Sequence, residues 1–345
     1  MPTIHDVAAA AGVSKSTVSL VCNNSPKVKM ETKYKVLKAI EKLGYTPNIA
    51  AVELTTKHKL NLGMILVSNN DSIDRTAIDT MDDNYFHDVS SGIYDVIRSS
   101  SYGIIVEQFT ATANNADKLP NIIKTNRVDG VFIVGGLFDE TFIKNISEKN
   151  IPIVVLGRTY PGIDSVNTDS KFATYIGVQH LIQNGHKDIL FISGPELTPS
   201  TKMKDEGYKL ALLEASLPFR KEYYTKSEFH GLGGYLAVKD ALENRSIRPT
   251  AVFTSNDAMA VGAMRYLYEK NIRIPEHISI ATYDDSILAT HAVPALTSVA
   301  INKPQIGMQA ANLLLNRIDN PNAEIKSIII PVNLVVRSST SRITE

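Results

Sequence analysis

The chain has 345 residues, of which 36 are basic and 36 acidic, so its formal net charge is zero. This length exceeds that of one ordinary domain, and the 43% share of hydrophobic residues is enough for a sizeable buried core. The single cysteine, Cys22, excludes an internal disulfide framework and is typical of a reducing compartment. The N-terminus lacks a basic-then-apolar leader, and no run of about 18 apolar residues occurs. We therefore expect a cytoplasmic protein with no membrane partner.

The first residues of the chain predict a helix with a well-defined start. Thr3 is a suitable N-cap, and Asp6 three residues later completes a variant of the capping box. Apolar residues then recur at the spacing of one helical face: Ile4, Val7, Ala8 and Ala11. Gly12 supplies a left-handed or otherwise tight turn position at little steric cost. The helix is therefore expected to end there.

A second helix is predicted after Ser14, a good N-cap residue, and extends to about residue 23. Its apolar side carries Val18, Val21 and Cys22, with Thr17 at the border. Its opposite side carries Lys15, Ser16, Ser19, Leu20 and Asn23. Two short helices joined by a glycine-containing turn, the second with a small polar face, are typical of a helix-turn-helix. The alternative is that two small helices merely pack against a larger domain.

A third helix is predicted over residues 31–43, ending at Gly44. Its inward-facing residues are expected to be Val36, Leu37, Ile40 and Leu43. The sequence Tyr-Thr-Pro-Asn at 45–48 then breaks the chain, and residues 49–55 form a short apolar helical stretch. Such a segment is too short to be stable alone in water, so we expect it to order only against a partner or DNA.

Charge is distributed unevenly between the head and the rest of the chain. Residues 1–60 contain nine lysines, no arginine and four acidic residues, a net charge of +5. The remainder has 27 basic and 32 acidic residues, a net charge of −5. A basic head on an acidic body is typical of a nucleic-acid module joined to a domain with another role. Individual lysines in the head, such as Lys27, Lys29, Lys33 and Lys35, could contact phosphates or simply form a solvated face.

Beyond residue 60, short apolar strands alternate with helical patterns. The clear strands are 62–67, 103–106, 130–134, 153–156, 188–192, 251–254 and 278–283. Helical periodicity is clear over 88–97 and 258–267. The alternation predicts an α/β fold with largely parallel sheets, and the number of strands exceeds what one standard sheet needs. We therefore expect two doubly wound lobes.

The sequence resembles the lac-repressor/galactose-repressor family of transcriptional regulators from Thr3 to about Arg337. The motif that carries the resemblance is Ile4-His5-Asp6-Val7-Ala8, Ala11-Gly12-Val13-Ser14, Thr17-Val18-Ser19, Asn23 and Gly44-Tyr45-Thr46-Pro47-Asn48. The resemblance implies an N-terminal all-α helix-turn-helix headpiece (1–47), a hinge helix and linker (48–60), and a two-lobed effector-binding and dimerisation core (61–345). The lobes would be doubly wound parallel sheets of the periplasmic-binding-protein type.

The same resemblance implies which residues would contact DNA. In the family the second helix lies in the major groove, and a leucine pair from the hinge helices of a dimer enters the minor groove. The matching residues here are Ser14, Lys15, Ser16, Thr17, Ser19, Leu20, Asn23, Ala51 and Leu54. Leu20 departs from the family, which commonly has an arginine there, and arginine to guanine is the commonest specific base contact. Base discrimination is therefore expected to depend on Lys15 and Ser16, or on the shape of the DNA site.

By analogy with the family, the chain crosses between lobes near residues 163, 292 and 325. Lobe 1 would comprise about 61–163 and 293–325, and lobe 2 about 164–292 and 326–340. Ligands of such folds bind outside the carboxyl ends of the strands, here between the lobes.

An effector site is implied at these strand ends. Asn256 and Asp284 match family positions that hold a sugar, since carboxylates and amides make hydrogen bonds in fixed directions. The full set of candidates is Tyr85, Phe86, Asp169, Lys204, Phe229, Asn256 and Asp284. Asp and Asn after strands can instead cap the following helix, and we expect this of Asp257 and Asp285.

At two positions of this pocket the sequence departs from the family, so the type of ligand is harder to infer. Lys204 stands where the family usually has an arginine, and lysine cannot make a bidentate contact. Ser170 stands where the family often has asparagine. The acidic loop at 71–83 could cover the pocket or form a free surface.

Other classes of function fit the sequence less well. Asp284 and Asp285 are adjacent, so they need not face one catalytic site, and the histidines lack metal-ligand spacing. A transport-type binding protein would carry an export signal and no basic head. We therefore expect a regulator without enzyme activity, metal or cofactor. It would bind a palindromic double-stranded operator as a homodimer and respond to a small-molecule effector, a sugar or sugar derivative, with a protein corepressor as the alternative partner.

Overall fold

The structure, a computed structural model, describes residues 2–22, 27–45, 59–68, 83–110, 118–135, 140–195 and 198–343. The chain divides into two compact units, Met1–Leu60 and Asn61–Glu345. Each unit has a hydrophobic core of its own.

The described part of the smaller unit contains the helices α1 (Ile4–Ala11), α2 (Lys15–Cys22) and α3 (Met30–Leu43). The predicted start of α1 is confirmed, because the Asp6 carboxylate accepts from the Thr3 backbone N–H at 2.7 Å and from the Thr3 hydroxyl at 2.8 Å. Both hydrogen bonds lower the pKa of Asp6. Gly12 and Gly44 have left-handed φ angles of 64° and 60°, so α1 and α3 end at the predicted glycines.

The core of this head is formed by small apolar residues from all three helices. They are Val7, Ala8, Val18, Val21, Val36 and Ala39. Cys22 packs against this cluster, and burial raises the pKa of its thiol. The prediction for Leu37 was wrong: this side chain is 47% exposed, and Ala39 takes the inward position. The core-facing side of α3 follows the helical period from Val36, so the residue next to it points away.

The larger unit contains the two predicted parallel sheets. The strands of the first are β1 (Asn61–Ser68), β2 (Gly103–Thr110), β3 (Gly130–Val134), β4 (Ile153–Leu156), β5 (Asp164–Thr168) and β11 (Ser327–Ile330). The strands of the second are β6 (Ile189–Ser193), β7 (Tyr224–Lys226), β8 (Ala251–Thr254), β9 (Ser279–Asp284), β10 (Thr297–Ile301) and β12 (Val332–Val335).

Helices surround both sheets. Those of the described residues are α4 (Asp83–Ile97), α5 (Asn121–Lys124), α6 (Glu140–Ser147), α7 (Ser170–Gln183), α8 (Pro199–Glu214), α9 (Gly231–Lys239), α10 (Asp257–Glu269), α11 (Ile287–His291) and α12 (Lys303–Asp319). Two single-turn segments, Lys221–Tyr223 and Asp240–Asn244, adopt 3₁₀ and π geometry.

The strand order is β11-β5-β4-β3-β1-β2 in the first sheet and β12-β10-β9-β8-β6-β7 in the second. Neighbouring strands pair in parallel, except that β12 is antiparallel to β10. The strand order reverses between β1 and β3 in the first sheet and between β6 and β8 in the second. This is the doubly wound arrangement, which places ligands at the carboxyl ends of the strands near the reversal.

The chain crosses between the lobes later than the sequence suggested. Strand β5 still belongs to the first sheet, so the first crossing is at Asp169 rather than near 163. Strand β10 still belongs to the second sheet, so the second crossing is at Asn302 rather than near 292. The third lies at Pro331, between β11 and β12. The analogy with the family placed these crossings before β5, β10 and β11, three strands that were not predicted from the sequence.

The helices α4 and α12 pack closely on the first sheet. A Cβ atom added at Gly92 of α4 would lie 1.9 Å from the Pro304 carbonyl oxygen. A Cβ atom added at Gly307 of α12 would lie 2.0 Å from the Val89 carbonyl oxygen. The two glycines therefore allow the backbones of these helices to touch.

Candidate functional site

The exposed side of α2 is formed by the residues expected to contact DNA. Lys15 and Ser16 are exposed, Leu20 is 40% exposed, and Ser19 is half-buried. The opposite side of the helix is buried in the head core. The helix therefore presents a small polar face with one apolar side chain.

Three hydroxyl groups cluster at the start of α2. Ser14 Oγ accepts from the Thr17 backbone N–H at 3.1 Å and so caps the helix. It also lies 2.7 Å from Ser16 Oγ and 2.8 Å from Thr17 Oγ1. A helix N-terminus attracts anions, and hydroxyl groups can donate to phosphate oxygens. This end of α2 is therefore suited to a DNA backbone phosphate.

Three candidate DNA contacts, Asn23, Ala51 and Leu54, lie outside the residues that the structure describes, as does the acidic stretch from 71 to 82.

In the larger unit, Lys204 of α8 is an internal cation. This residue is only 5% exposed, and its Nζ donates to the Ser255 carbonyl oxygen at 2.7 Å. The same Nζ lies 3.8 Å from the centre of the Tyr283 ring and 5.3 Å from the centre of the Phe229 ring. The faces of aromatic rings attract cations, so these contacts offset part of the cost of burying the ammonium group.

Tyr283 connects this cation to the first lobe. The residue is buried near the end of β9, and its hydroxyl lies 3.1 Å from Ser170 Oγ and 3.5 Å from Thr168 Oγ1. Burial raises the pKa of Tyr283 to about 12, so the phenol is neutral at physiological pH. Thr168 and Ser170 flank the first crossing at Asp169, so Tyr283 of the second lobe meets the chain where it leaves the first.

Asn256 and Phe229 are joined directly. Asn256 is the N-cap of α10: its Oδ1 accepts from the Met259 backbone N–H at 2.9 Å. Its Nδ2 donates to the Phe229 carbonyl oxygen at 3.2 Å. An amide oxygen has a second lone pair and an amide nitrogen a second hydrogen. Asn256 can therefore cap its helix and still contact a ligand.

The two remaining carboxylates of the candidate set have different environments. Asp169 is the N-cap of α7, and its Oδ1 accepts from the Phe172 backbone N–H at 2.8 Å. Asp284 is the last residue of β9, is 6% exposed, and has a left-handed φ of 111°. Non-glycine residues rarely adopt such an angle, and strained backbone is found preferentially at functional sites.

The interpretation of Asp257 and Asp285 as helix caps was wrong. The Asp257 carboxylate accepts from the Ser286 backbone N–H at 2.6 Å and from the Ser298 hydroxyl at 3.0 Å. Burial of the Asp257 carboxyl group raises its pKa to about 6. Asp285 instead pairs with Arg337 at 2.6 Å. The N-caps of the helices that follow these strands are Asn256 and Ser286.

The aromatic pair Tyr85 and Phe86 lies in the first lobe, near the start of α4. Both are half-buried against the hydrophobic core. The Phe86 carbonyl oxygen accepts from the Ser90 hydroxyl at 2.8 Å. The structure thus brings Lys204, Phe229 and Asn256 into one group in the second lobe, while these two aromatic residues lie on the first.

Two residues of this region were not singled out by the sequence analysis: Tyr283 and Lys303. Tyr283 reads as an ordinary strand residue. Lys303 carries a detectable signal, because it stands at the start of α12, where a positive charge is unfavourable beside the helix dipole. A residue type that is locally unfavourable suggests a specific partner in the folded state.

Across the described ranges, no group of three or more His, Cys, Asp or Glu residues is placed to hold a metal ion. Within the same ranges, no helix has the length and hydropathy needed to cross a membrane. The polar strand ends thus lie close to two aromatic rings and one buried cation. Polar organic ligands need this combination, because they require both directed hydrogen bonds and apolar ring contact.

Comparison with known protein families assigns both parts of the chain. Residues 3–48 match the model described as "Bacterial regulatory proteins, lacI family". Residues 178–340 match the model described as "Periplasmic binding protein-like domain".

Solved structures resemble the whole chain. The lac repressor dimer bound to operator and the anti-inducer ONPF is 26% identical, with a TM-score of 0.79 and 99% of each chain covered. A complex of the transcriptional regulator CelR with cellobiose is 28% identical, with a TM-score of 0.72 and coverage of 98% of this chain and 100% of that one.

Similarity to a curated relative also extends over the full length. The probable HTH-type transcriptional repressor ExuR of Bacillus subtilis (strain 168) is 34% identical over 349 aligned positions, with 100% of both chains covered. Together with the helix-turn-helix head and the two parallel-sheet lobes, this identity shows that the chain belongs to the lacI family of bacterial regulatory proteins, which are DNA-binding transcriptional regulators.

Proposed function

We propose that this regulator is a repressor that binds a near-palindromic operator as a homodimer, and that a small polar molecule bound between its lobes, most simply a sugar, controls its affinity for DNA. The observation that carries the proposal is the group formed by Lys204, Phe229 and Asn256 at the carboxyl ends of the second sheet. The similar lac repressor dimer bound to operator supports the DNA-binding half of the proposal, and the similar CelR complex with cellobiose supports the effector half.

On the DNA side, the exposed face of α2 determines which contacts are available. Lys15 and Ser16 can donate to base edges or phosphates, and Leu20 can touch a thymine methyl group. The described part of the head has no arginine, which reduces bidentate recognition of guanine. We therefore expect an operator whose sequence is read partly through its deformability, with Leu54 of each hinge opening a base step.

On the effector side, the polar groups have separate roles. Asp284 and Asp169 would accept hydrogen bonds from ligand hydroxyls, and Asn256 would donate and accept one each. The half-buried Phe229 would offer apolar ring surface, although Lys204 lies over part of this ring and of the buried Tyr283 ring. Because Lys204 is held by the Ser255 carbonyl oxygen, it would keep these rings in place for the ligand.

Regulation would follow from differences between the lobe arrangements. An effector shifts the protein toward DNA-competent or DNA-incompetent states only if it binds those states with unequal affinity. Residues 169, 302 and 331, where the chain crosses between lobes, would absorb the relative motion.

A thermal-shift screen of the full chain tests the effector half of the proposal. The panel contains neutral mono- and disaccharides, including cellobiose, together with sugar phosphates, nucleosides and nucleobases. A compound at about a hundred times its Kd should stabilise the folded state by roughly 2.7 kcal/mol, a shift that is easily measured. A sugar whose effect disappears in Asp284→Asn but persists in Asp319→Asn, a change at an exposed acid of α12, would support the site. A blank across the panel would contradict the sugar and favour a protein corepressor.

Selection of bound sequences from a random duplex library tests the operator half. A two-fold symmetric consensus is the expected result, since the symmetry of the site mirrors that of a dimer. Leu54→Ala should weaken binding to the selected duplex strongly and leave ligand binding unchanged. An asymmetric consensus, or unchanged affinity of the variant, would contradict the proposed mode of binding.

A further inference from the structure

Lys303 is a fully buried lysine at the point where the chain passes from the second lobe to the first. It follows Asn302, the second crossing, and is the first residue of α12. Its side chain is only 2% exposed, although lysine is among the residues most rarely buried. Burying an ammonium group costs several kcal/mol unless it is well paired, so this position is expected to have a specific role.

The Lys303 ammonium contacts both lobes at once. Its Nζ donates to the Asp284 carbonyl oxygen, at the end of β9 in the second lobe, at 3.0 Å. The same Nζ lies 3.9 Å from the carboxylate of Asp88 on α4 in the first lobe. A single side chain therefore connects the strained end of β9 to the first lobe.

Each end of this connection is rigidly held. In the first lobe, α4 and α12 touch through Gly92 and Gly307, so Asp88 and the backbone of Lys303 move together. In the second lobe, Asp284 has its left-handed φ of 111° and is followed by Asp285, whose φ is 49°. A motion of the lobes about the crossings must therefore change the distance between Lys303 Nζ and the Asp284 carbonyl oxygen.

The electrostatic surroundings also favour an ammonium group at this place. The buried carboxyl group of Asp257 interacts with the positive charge of Lys303. This charge lowers the pKa of Asp257, although the larger effect of burial raises it. Asp88, Asp257 and the Asp284 carbonyl oxygen thus offer negative charge or dipole to one cation. A neutral side chain of similar length would leave these groups without it.

We infer that Lys303 is a positioning residue that couples the end of β9 to the first lobe and so sets the separation of the lobes. The inference deepens the proposed function, because Asp284 is also a candidate effector contact. A ligand that moves Asp284 would act on α4 through the same lysine.

The test measures the lobe separation itself and needs neither DNA nor a small molecule. Spin labels are placed at Lys149→Cys in the first lobe and Lys187→Cys in the second, both exposed positions, in a Cys22→Ser background. The labelled full chain is diluted with an excess of unlabelled chain, so that double electron–electron resonance reports distances within one chain. Lys303→Met should shift and broaden the distance distribution, and Lys303→Arg should keep it close to that of the parent.

Two further variants keep the outcome decisive. Asp88→Asn, at a side chain that is 38% exposed, removes the first-lobe half of the connection and should shift the distribution in the same direction even if Lys303→Met fails to fold. Lys270→Met removes an ion pair of 2.7 Å with Glu243 inside the second lobe and should leave the distances unchanged. Parent-like distances in Lys303→Met and Asp88→Asn would overturn the inference, as would a loss of thermal stability without a change in distance. A blank in the sugar screen would not affect this result, so failure of the two proposals can be told apart.

Discussion

Arg317 of α12 shows how a single buried ion pair can stabilise one lobe. Its guanidinium meets the Asp164 carboxylate at 2.9 and 3.2 Å, and both side chains are almost fully buried. It also donates to backbone carbonyl oxygens of the turn after α12, including that of Glu324 at 3.0 Å. Arginine suits this position because its five donors can satisfy several acceptors in fixed directions.

Replacing Arg317 with Met should therefore destabilise the larger unit strongly. The change leaves the Asp164 carboxylate buried without its partner, which typically costs about 3–5 kcal/mol. Denaturant unfolding followed by circular dichroism measures the effect. Arg265→Met is the matched control, because Arg265 pairs with Glu269 on the surface and is 75% exposed. Its loss should cost under about 1 kcal/mol. Equal losses for the two variants would contradict the role of burial.

Two histidines, the buried His186 and the half-buried His180, make the stability of the larger unit depend on pH. His186 lies 3.1 Å from the Thr250 hydroxyl and 3.1 Å from the Ser341 carbonyl oxygen. His180 lies 2.9 Å from the Thr340 hydroxyl. Burial lowers the pKa of both imidazoles below 6.5. The unfolded chain therefore binds protons first as the pH falls, so the free energy of unfolding should decrease below about pH 6.5.

His186→Gln should flatten this dependence, because glutamine can keep hydrogen bonds but does not titrate. The measurement is the free energy of unfolding of parent and variant between pH 8 and pH 5, compared at each pH. The comparison is needed because the raised pKa of Asp257 acts in the opposite direction: the folded protein binds that proton first. His87→Gln, at a side chain that is 84% exposed, is the control. If the two variants lose stability equally on acidification, the histidine argument fails.

At the scale of single residues, part of the candidate site could be predicted from the sequence. Sequence reasoning placed polar residues at the strand ends because parallel strands end at the same edge. It could not tell that Asn256 caps α10 while Asp257 turns inward, since both residues follow the same strand. Nor could it find the contact of Lys204 with Tyr283, because the two are far apart in sequence and meet only after folding.

At the scale of elements, the contact between α4 and α12 depends on glycine. Gly92→Ala would place a methyl group 1.9 Å from the Pro304 carbonyl oxygen, which is backbone and cannot rotate away. The helices would have to separate, so we expect a loss of at least about 1–3 kcal/mol in the free energy of unfolding. Ser91→Ala, at the neighbouring exposed position of α4, should change it little. Similar stability of the two variants would show that the helices have room to adjust.

The same scale explains which strands were predictable. Strands β3, β4 and β8 were predicted with the observed bounds, because they are continuous apolar runs buried on both faces. Strand β5 has the sequence Asp-Ser-Val-Asn-Thr and carries no such signal. Strand β7 has only three residues. Their strand conformation comes from pairing with neighbours in the sheet, which a local pattern does not contain.

At the scale of the whole molecule, the opposite charges of the two units separate their roles. The head carries nine lysines and a net charge of +5, and the remainder of the chain has a net charge of −5. The larger unit should therefore be repelled by DNA phosphates, leaving the head to provide the attraction. A protein that neutralises phosphates releases condensed counterions, so the logarithm of its binding constant falls linearly with the logarithm of the salt concentration.

The salt dependence of binding to DNA of arbitrary sequence tests this division without knowledge of the operator. Fluorescence anisotropy with a labelled duplex measures the binding constant at increasing KCl concentration. A plot of its logarithm against the logarithm of the salt concentration should have a slope of about −0.9 per phosphate contacted. Lys15→Gln removes a cation from the exposed face of α2 and should reduce the slope by about 1. Lys187→Gln makes the same chemical change at an exposed position of the larger unit and should leave the slope unchanged. A slope that is flat for the parent, or equally reduced in the two variants, would mean that the head does not supply the attraction to DNA.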